Sequence, residues 1–183
     1  MKAELCREYL LKELPCRFYC PQVASSPKAT IEQLEQIVAL HPEEQWVFIG
    51  SSLGGYFSTY LSEKFAAPAV LVNPAVKPFE LLTDYLGEQV NPYTDEVYQV
   101  DLSFIDDLKQ IEQKNITSDN YLVMVQTDDE VLDYKQACNK YNASRLVVEQ
   151  GGDHSFIDFH LRLPEIKLFI VDKSKVDSVV SEA

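Results

Sequence analysis

The chain is poor in several things that would have marked it for a particular class. Its 183 residues include 6 glycines, one tryptophan, two methionines and three histidines. It has four cysteines, Cys6, Cys16, Cys20 and Cys138, with no C-x-x-C pair among them. With the histidines scattered, no zinc-ligand cluster of familiar spacing is present, and reduced thiols are the expectation. No apolar run approaches the roughly 20 residues that cross a bilayer. The N-terminus, Met1-Lys2-Ala3-Glu4-Leu5-Cys6-Arg7-Glu8, has charges where a signal peptide would be apolar, so a cytoplasmic chain without a membrane span is expected. Basic residues are also scarce: 16 against 29 acidic ones, a net charge of −13. That field repels phosphate backbones and anionic lipid, which makes nucleic acid a poor partner.

What is present is an ordinary globular composition, 46% hydrophobic and 25% charged, sufficient for a real core. The length suits one domain over residues 1–172, and the polar tail 173–183 is expected to fray. Leu5, Tyr9, Leu10 and Leu14 recur at helical spacing before Pro15, so the chain opens with a helix. Arg17-Phe18-Tyr19-Cys20 reads as a short strand, and Thr30 as the cap of a helix carrying Ile31, Leu34, Ile37 and Val38. Trp46-Val47-Phe48-Ile49 is a continuous apolar run that ends on Gly50. Residues 69–72, 121–125 and 145–148 repeat that pattern, with helical periodicity near 56–65, 133–141 and after Pro164. Continuous apolar strands alternating with helices predict an α/β fold with a mostly parallel sheet flanked by helices. Residues 73–120, with helical patches near 77–86 and 101–109, are too long for an ordinary connection and predict a small, partly helical cap.

Three placements carry chemistry. Gly50-Ser51-Ser52-Leu53-Gly54-Gly55 contains G-x-S-x-G, a pattern that about 6% of chains this long carry by chance. Its position between an apolar strand and a periodic helix is that of a nucleophile elbow, where Gly50 and Gly54 would permit a tight turn and Ser52 would stand above the sheet. The alternative is a glycine-rich turn in which Ser52 merely caps the helix. Thr127-Asp128-Asp129-Glu130 follows one strand, and Gly151-Gly152-Asp153-His154 follows the next. A serine hydroxyl needs a base, and the base an orienting carboxylate. His154 suits the first role and Asp129 the second, with Asp128 its rival. The order Ser, Asp, His is that of α/β-hydrolases.

Ile49 to Tyr56, Val72 to Gly87, Asn91-Pro92-Tyr93-Thr94, Asp129 to Tyr134 and Gly151 to Phe156 together resemble the YqiA-type esterases, a compact bacterial α/β-hydrolase group. The resemblance spans almost the whole chain. It implies Ser52 as nucleophile, Asp129 as acid, His154 as base and the Leu53 backbone amide as one oxyanion donor. It also implies a strand and a His-Gly-containing loop upstream of the opening helix, supplying the second donor; this chain begins at the helix, so lower stability and turnover are expected of it than of one carrying that segment. The reading is acyl transfer from a small-molecule ester or thioester to water, with no metal or organic cofactor. Two rivals stand beside it. One is a binding protein on the same fold. The other is an acyl-CoA thioesterase, which the acidic surface opposes unless a patch such as Lys64 and Lys77 meets the phosphates.

Overall fold

The computed structural model describes residues 2–90 and 97–174. The fraying expected of the tail and the Asn91-Pro92-Tyr93-Thr94 stretch lie outside the described residues, except that Lys173 closes the last helix. Four parallel strands form the main described sheet: β1 (Phe48–Ser52), β2 (Ala69–Pro74), β5 (Tyr121–Gln126) and β6 (Arg145–Glu149), in the order β1-β2-β5-β6. Two shorter strands, β3 (Gly87–Val90) and β4 (Val97–Val100), pair antiparallel apart from it. The helices are α1 (Lys2–Glu13), α2 (Pro27–Ala39), α3 (Leu53–Phe65), α4 (Pro78–Leu81), α5 (Leu102–Gln110), α6 (Tyr134–Lys140) and α7 (Leu163–Lys173).

Every residue of β2 and β5 is buried, as strands covered on both faces must be. Successive side chains point to opposite faces, so each strand feeds two cores. Val70, Val72, Leu122 and Met124 pack with Cys6 and Leu10 of α1 and with Leu163, Ile166 and Phe169 of α7. Leu71, Val123 and Val125 meet Leu61 of α3, Ala137 of α6 and Tyr141 on the other side. A third cluster joins Ile31 of α2, Tyr56 and Phe57 of α3 and Leu108 of α5.

Several local expectations need correction. Residues 16–20 form no strand. Among the described residues β1 has β2 as its strand neighbour, so this segment finds no ladder, and its side chains settle it instead. Phe18 packs against the first core, Tyr19 lies 5.1 Å from the rings of both His41 and Trp46, and Arg17 pairs with Glu44 at 2.6 Å. β1 starts two residues later than the apolar run and continues through Gly50 to Ser52, because its ladder begins where Phe48 N donates to the Pro68 carbonyl at 2.9 Å. α2 starts three residues before Thr30. Ser26 is its cap, accepting from Ala29 N at 3.3 Å, and Pro27 opens the first turn. Thr30 is buried and donates to the Ala24 carbonyl at 2.9 Å. The β3–β4 pair replaces what reads in sequence as irregular chain. Gly87, at φ 111°, begins it in a conformation that favours glycine.

The two-sided core makes a direct expectation. Leu122 is fully buried between the layers, whereas Leu168 on α7 is 63% exposed. Leu122→Ala is expected to lower the unfolding free energy by about 2–5 kcal/mol. Leu168→Ala should change it by less than ~0.5 kcal/mol. Urea denaturation of the two variants measures both, and comparable losses would contradict this layer arrangement.

Candidate active site

Because the strands of the main sheet run parallel, their C-terminal ends share one edge, where open α/β sheets carry their sites. β1 delivers Ser52 there. Ser52 links strand to helix with φ 54° and ψ −124°, a strained region for a residue other than glycine. Ala75 N donates to its carbonyl at 3.0 Å and fastens the turn to the end of β2. The Ser52 hydroxyl makes no capping bond to α3, which removes the helix-cap alternative. Its Oγ stands 3.0 Å from His154 Nε2. A Cβ at Gly50 would lie 2.1 Å from the Gly54 carbonyl oxygen and 2.5 Å from Ser58 Oγ, so a side chain there would break the turn. Gly54 is different: beyond its own helix, a Cβ there meets nothing within 4 Å among the described residues. The second close approach is at Gly55, against Pro74.

The histidine and the acid come from the two strands on the far side of β2. His154 Nδ1 lies 3.0 Å from Asp129 Oδ1 and 2.9 Å from Oδ2. The Asp129 side chain is 2% exposed and also accepts from Val131 N at 2.9 Å and Leu132 N at 2.8 Å, which fix the plane of the carboxylate. Asp128 is exposed and turned to Thr127 Oγ1, so of the two rivals Asp129 faces the ring. The loops that carry the pair are tied together. Thr127 N donates to the Glu149 carbonyl at 2.9 Å, Gly151 N to Thr127 Oγ1 at 2.9 Å, and His154 N to Glu130 Oε2 at 2.9 Å. The arrangement can therefore pass a proton from the Ser52 hydroxyl to an imidazole whose other nitrogen is held by a carboxylate. Leu53, first residue of α3, places its amide where a helix has unpaired donors and the positive end of its dipole.

Other titratable groups lie elsewhere or are engaged. Lys64 pairs with Glu35 at 2.6 Å and Lys77 with Glu80 at 2.9 Å, so each lysine already faces a carboxylate. His160 is exposed, and His41 lies against Tyr19 with the two rings tilted at 43°, in the segment that precedes β1. Among the described residues one group could hold a metal ion: His41, Glu43 and Glu44, with ligand atoms within 4.8 Å of one another. It lies away from Ser52, and Glu44 is engaged by Arg17. Sequence reasoning missed Lys2, which donates to the Ser155 carbonyl at 2.8 Å. Burial pulls its ammonium below the usual lysine range, while Asp153 and Asp129 oppose that shift. It also missed Asn73 and Gln126, buried at the ends of β2 and β5 and bonded to the histidine loop.

Strand order, the strand-to-helix turn at Ser52 and the flanking helices define an α/β-hydrolase fold. Among solved structures the chain resembles α/β hydrolase domain-containing protein 10 from mouse, at 18% identity and TM-score 0.71, covering 93% of this chain and 84% of that one. It also resembles an α/β serine hydrolase homologue from Coxiella burnetii, at 20% identity and TM-score 0.56 with 93% and 76% covered. A monoacylglycerol lipase from Paleococcus ferrophilus matches at 14% identity and TM-score 0.59, with 81% and 76% covered. At these identities the likeness is one of fold. The chain belongs to the uncharacterised protein family UPF0227, the YqiA-like group, whose model matches residues 2–171. No described helix is long and apolar enough to cross a membrane.

The strain at Ser52 is open to measurement. Glycine occupies such a conformation without penalty, so Ser52→Gly is expected to raise the unfolding free energy by ~1 kcal/mol after glycine's own entropic cost. Gly50→Ala should lower it by at least ~2 kcal/mol through overpacking. Denaturant melts of both variants check the pair, and a destabilised Ser52→Gly would show that the turn is relaxed.

Proposed function

We propose that this chain is a serine hydrolase that cleaves carboxylic esters, with Ser52 as nucleophile, His154 as base and Asp129 as the acid that orients it. One observation carries the reading: Ser52 Oγ, His154 Nε2, His154 Nδ1 and Asp129 Oδ2 form a continuous chain of contacts of 3.0 Å and 2.9 Å across three strand ends. In this mechanism Ser52 Oγ attacks the ester carbonyl carbon while His154 Nε2 takes its proton. Negative charge then gathers on the carbonyl oxygen, where the Leu53 amide and the α3 dipole favour it. His154 returns the proton to the departing alcohol as the carbon–oxygen bond breaks, leaving an acyl group on Ser52. A water molecule then attacks that acyl group as it gives a proton to His154, and His154 passes this proton to Ser52 Oγ as the acyl–oxygen bond breaks, which releases the acid and restores Ser52 and His154.

An apolar, uncharged acyl group suits the surroundings. Phe79 and Leu82, in the segment after β2, pack in the cluster that includes Leu53, and Val131 and Ile157 in the acid and base loops are exposed apolar side chains. That the fold is shared with an esterase domain from Rhodothermus marinus and a monoacylglycerol lipase agrees with this. For a coenzyme A thioester, Lys64 and Lys77 offer no open cations, since both are paired.

Ser52→Ala and His154→Ala are each expected to abolish hydrolysis of p-nitrophenyl esters and labelling by a fluorophosphonate, with melting curves unchanged in form. Members of such a triad act as a unit, so the double variant should be hardly worse than either single one. Asp129→Asn should cost ~10⁴ in turnover through loss of the correct imidazole tautomer. Asp128→Asn should cost little. Full activity in Ser52→Ala would refute the reading, and a larger loss in Asp128→Asn than in Asp129→Asn would reassign the acid.

A further inference from the structure

We infer that Asn73 and Gln126 are a pair of positioning residues that clamp the loop bearing His154 and so set its distance to Ser52, an inference that rests on the catalytic reading of those two groups. Both amide side chains are buried, at 2% and 3% exposure, at the ends of strands otherwise filled by apolar residues, apart from Pro74 closing β2. Burying an amide is unfavourable unless its polar atoms are matched, and an apolar residue would serve the sheet as well. Here the matching is almost wholly with the histidine loop. Gln126 Oε1 accepts from Asp153 N at 3.1 Å and Ile157 N at 2.8 Å, while its Nε2 donates to the Ile157 carbonyl at 2.9 Å and to Glu149 Oε2 at 2.7 Å. Its two donors and two acceptor sites are all used. Asn73 Nδ2 donates to the carbonyls of Asp153 at 2.9 Å and His154 at 3.3 Å, and its Oδ1 accepts from Gln126 N at 2.9 Å, which joins the two clamps.

Two backbone features support the assignment. Asn73 sits at φ 40°, a left-handed conformation that asparagine tolerates better than most residues and that aims its amide across the strand end. Gly152, at φ 82°, passes so close to Gln126 that a Cβ would lie 2.0 Å from its Oε1, so the loop is folded tightly around this amide. Backbone on both sides of His154 is thus bolted to β2 and β5, the first directly next to the strand that carries Ser52. Small misplacement of a base from its nucleophile costs on the order of 10²-fold in rate.

The test is steady-state kinetics on a p-nitrophenyl ester with Asn73→Asp and Gln126→Glu, beside Ser52→Ala. Each variant keeps the size and the acceptor oxygen of the amide but replaces its donating NH2 with an oxygen that faces carbonyl or carboxylate oxygens. The expected result is a fall in kcat of ~10–100-fold with KM within twofold, a matching slowing of fluorophosphonate labelling, and loss or displacement of the downfield proton resonance of the His154–Asp129 hydrogen bond in proteins that are folded by circular dichroism. A purely structural role would lower the melting temperature and leave kcat and that resonance intact, which would overturn the inference. If either variant fails to fold, Asn73→Ser and Gln126→Met carry the same measurement at the same positions. Should Ser52→Ala keep its activity, the catalytic reading itself falls. Should Ser52→Ala be dead while the folded clamp variants retain wild-type kcat, the clamp alone is refuted.

Discussion

The parallel ladder between β2 and β5 decides where everything else in this molecule can stand. Val70 faces Leu122 and Val72 faces Met124 in register, and both strands are wholly buried. A one-residue slip would exchange the two faces of each strand and send Leu71 and Val123 into the wrong helix layer. Apolar patterning therefore fixes the register, and the register fixes which residues emerge at the C-terminal edge. Asn73 emerges beside Gln126, with Ser52 one strand to one side and Glu149 one strand to the other. The geometry of the proposed site, spread over residues far apart in the chain, becomes through this pairing a property of neighbouring strand ends.

Polar groups buried at the two faces differ in what they serve. Below α3, Thr59 Oγ1 bonds the Gly55 carbonyl and Tyr141 OH, each at 2.8 Å, and Tyr121 OH reaches Glu63. Those bonds link α3 to β5 and to the end of α6 and satisfy hydroxyls that large core aromatics bring with them. At the strand ends, by contrast, Asn73 and Gln126 bind irregular backbone that has no ladder of its own. Loops rich in unpaired amides and carbonyls are ordinarily the least ordered parts of a domain. Here the loop's donors and acceptors are met by side chains anchored in the most buried strands, which gives it the rigidity that the proposed role of His154 as a base requires.

Much of this was legible in the sequence, and the parts that were not share a cause. β2 and β5 show as apolar runs because burial on both faces leaves no alternation to misread, while β6 shows as one through Leu146, Val147 and Val148 although it lies at the edge of the described sheet with none of its residues buried. Ser52, Asp129 and His154 stand out because each follows such a run in a loop with turn chemistry. The segment at Arg17 to Cys20 is as apolar as a strand, yet a strand exists only when a neighbour accepts its backbone, and no local signal reports the neighbour. β1 is displaced relative to its apolar run for the same reason: the ladder starts opposite Pro68, far along the chain. Thr30 resembles a cap, but Ser26 followed by Pro27 is the stronger signal and was available. Gly54 belongs to the motif as written, whereas the crowding is at Gly55 against Pro74, a contact that depends on how α3 lies across β2. Asn73 and Gln126 end apolar runs and look like ordinary strand punctuation until the loop they hold is seen.

The electrostatics of the edge bear on what the proposed site would accept. Asp129, Glu130 and Asp153 lie at His154 on a chain of net charge −13, with Asp128 exposed beside them in the same loop and Lys2 reaching in from α1. Asp129 spends its charge on the imidazole and Glu130 accepts from the His154 amide, so part of this negative potential is neutralised by internal donors. The remainder faces any incoming molecule. An anionic substrate would approach against it through water with a Debye length of about 8 Å at physiological salt, close enough for the repulsion to be felt in the last steps of binding. A neutral ester meets no such barrier, and the acid it releases carries a charge that the same field pushes away. On this reading the acidic surface selects uncharged substrates and speeds departure of the carboxylate product. The apolar side chains near the site supply the attraction that charge cannot.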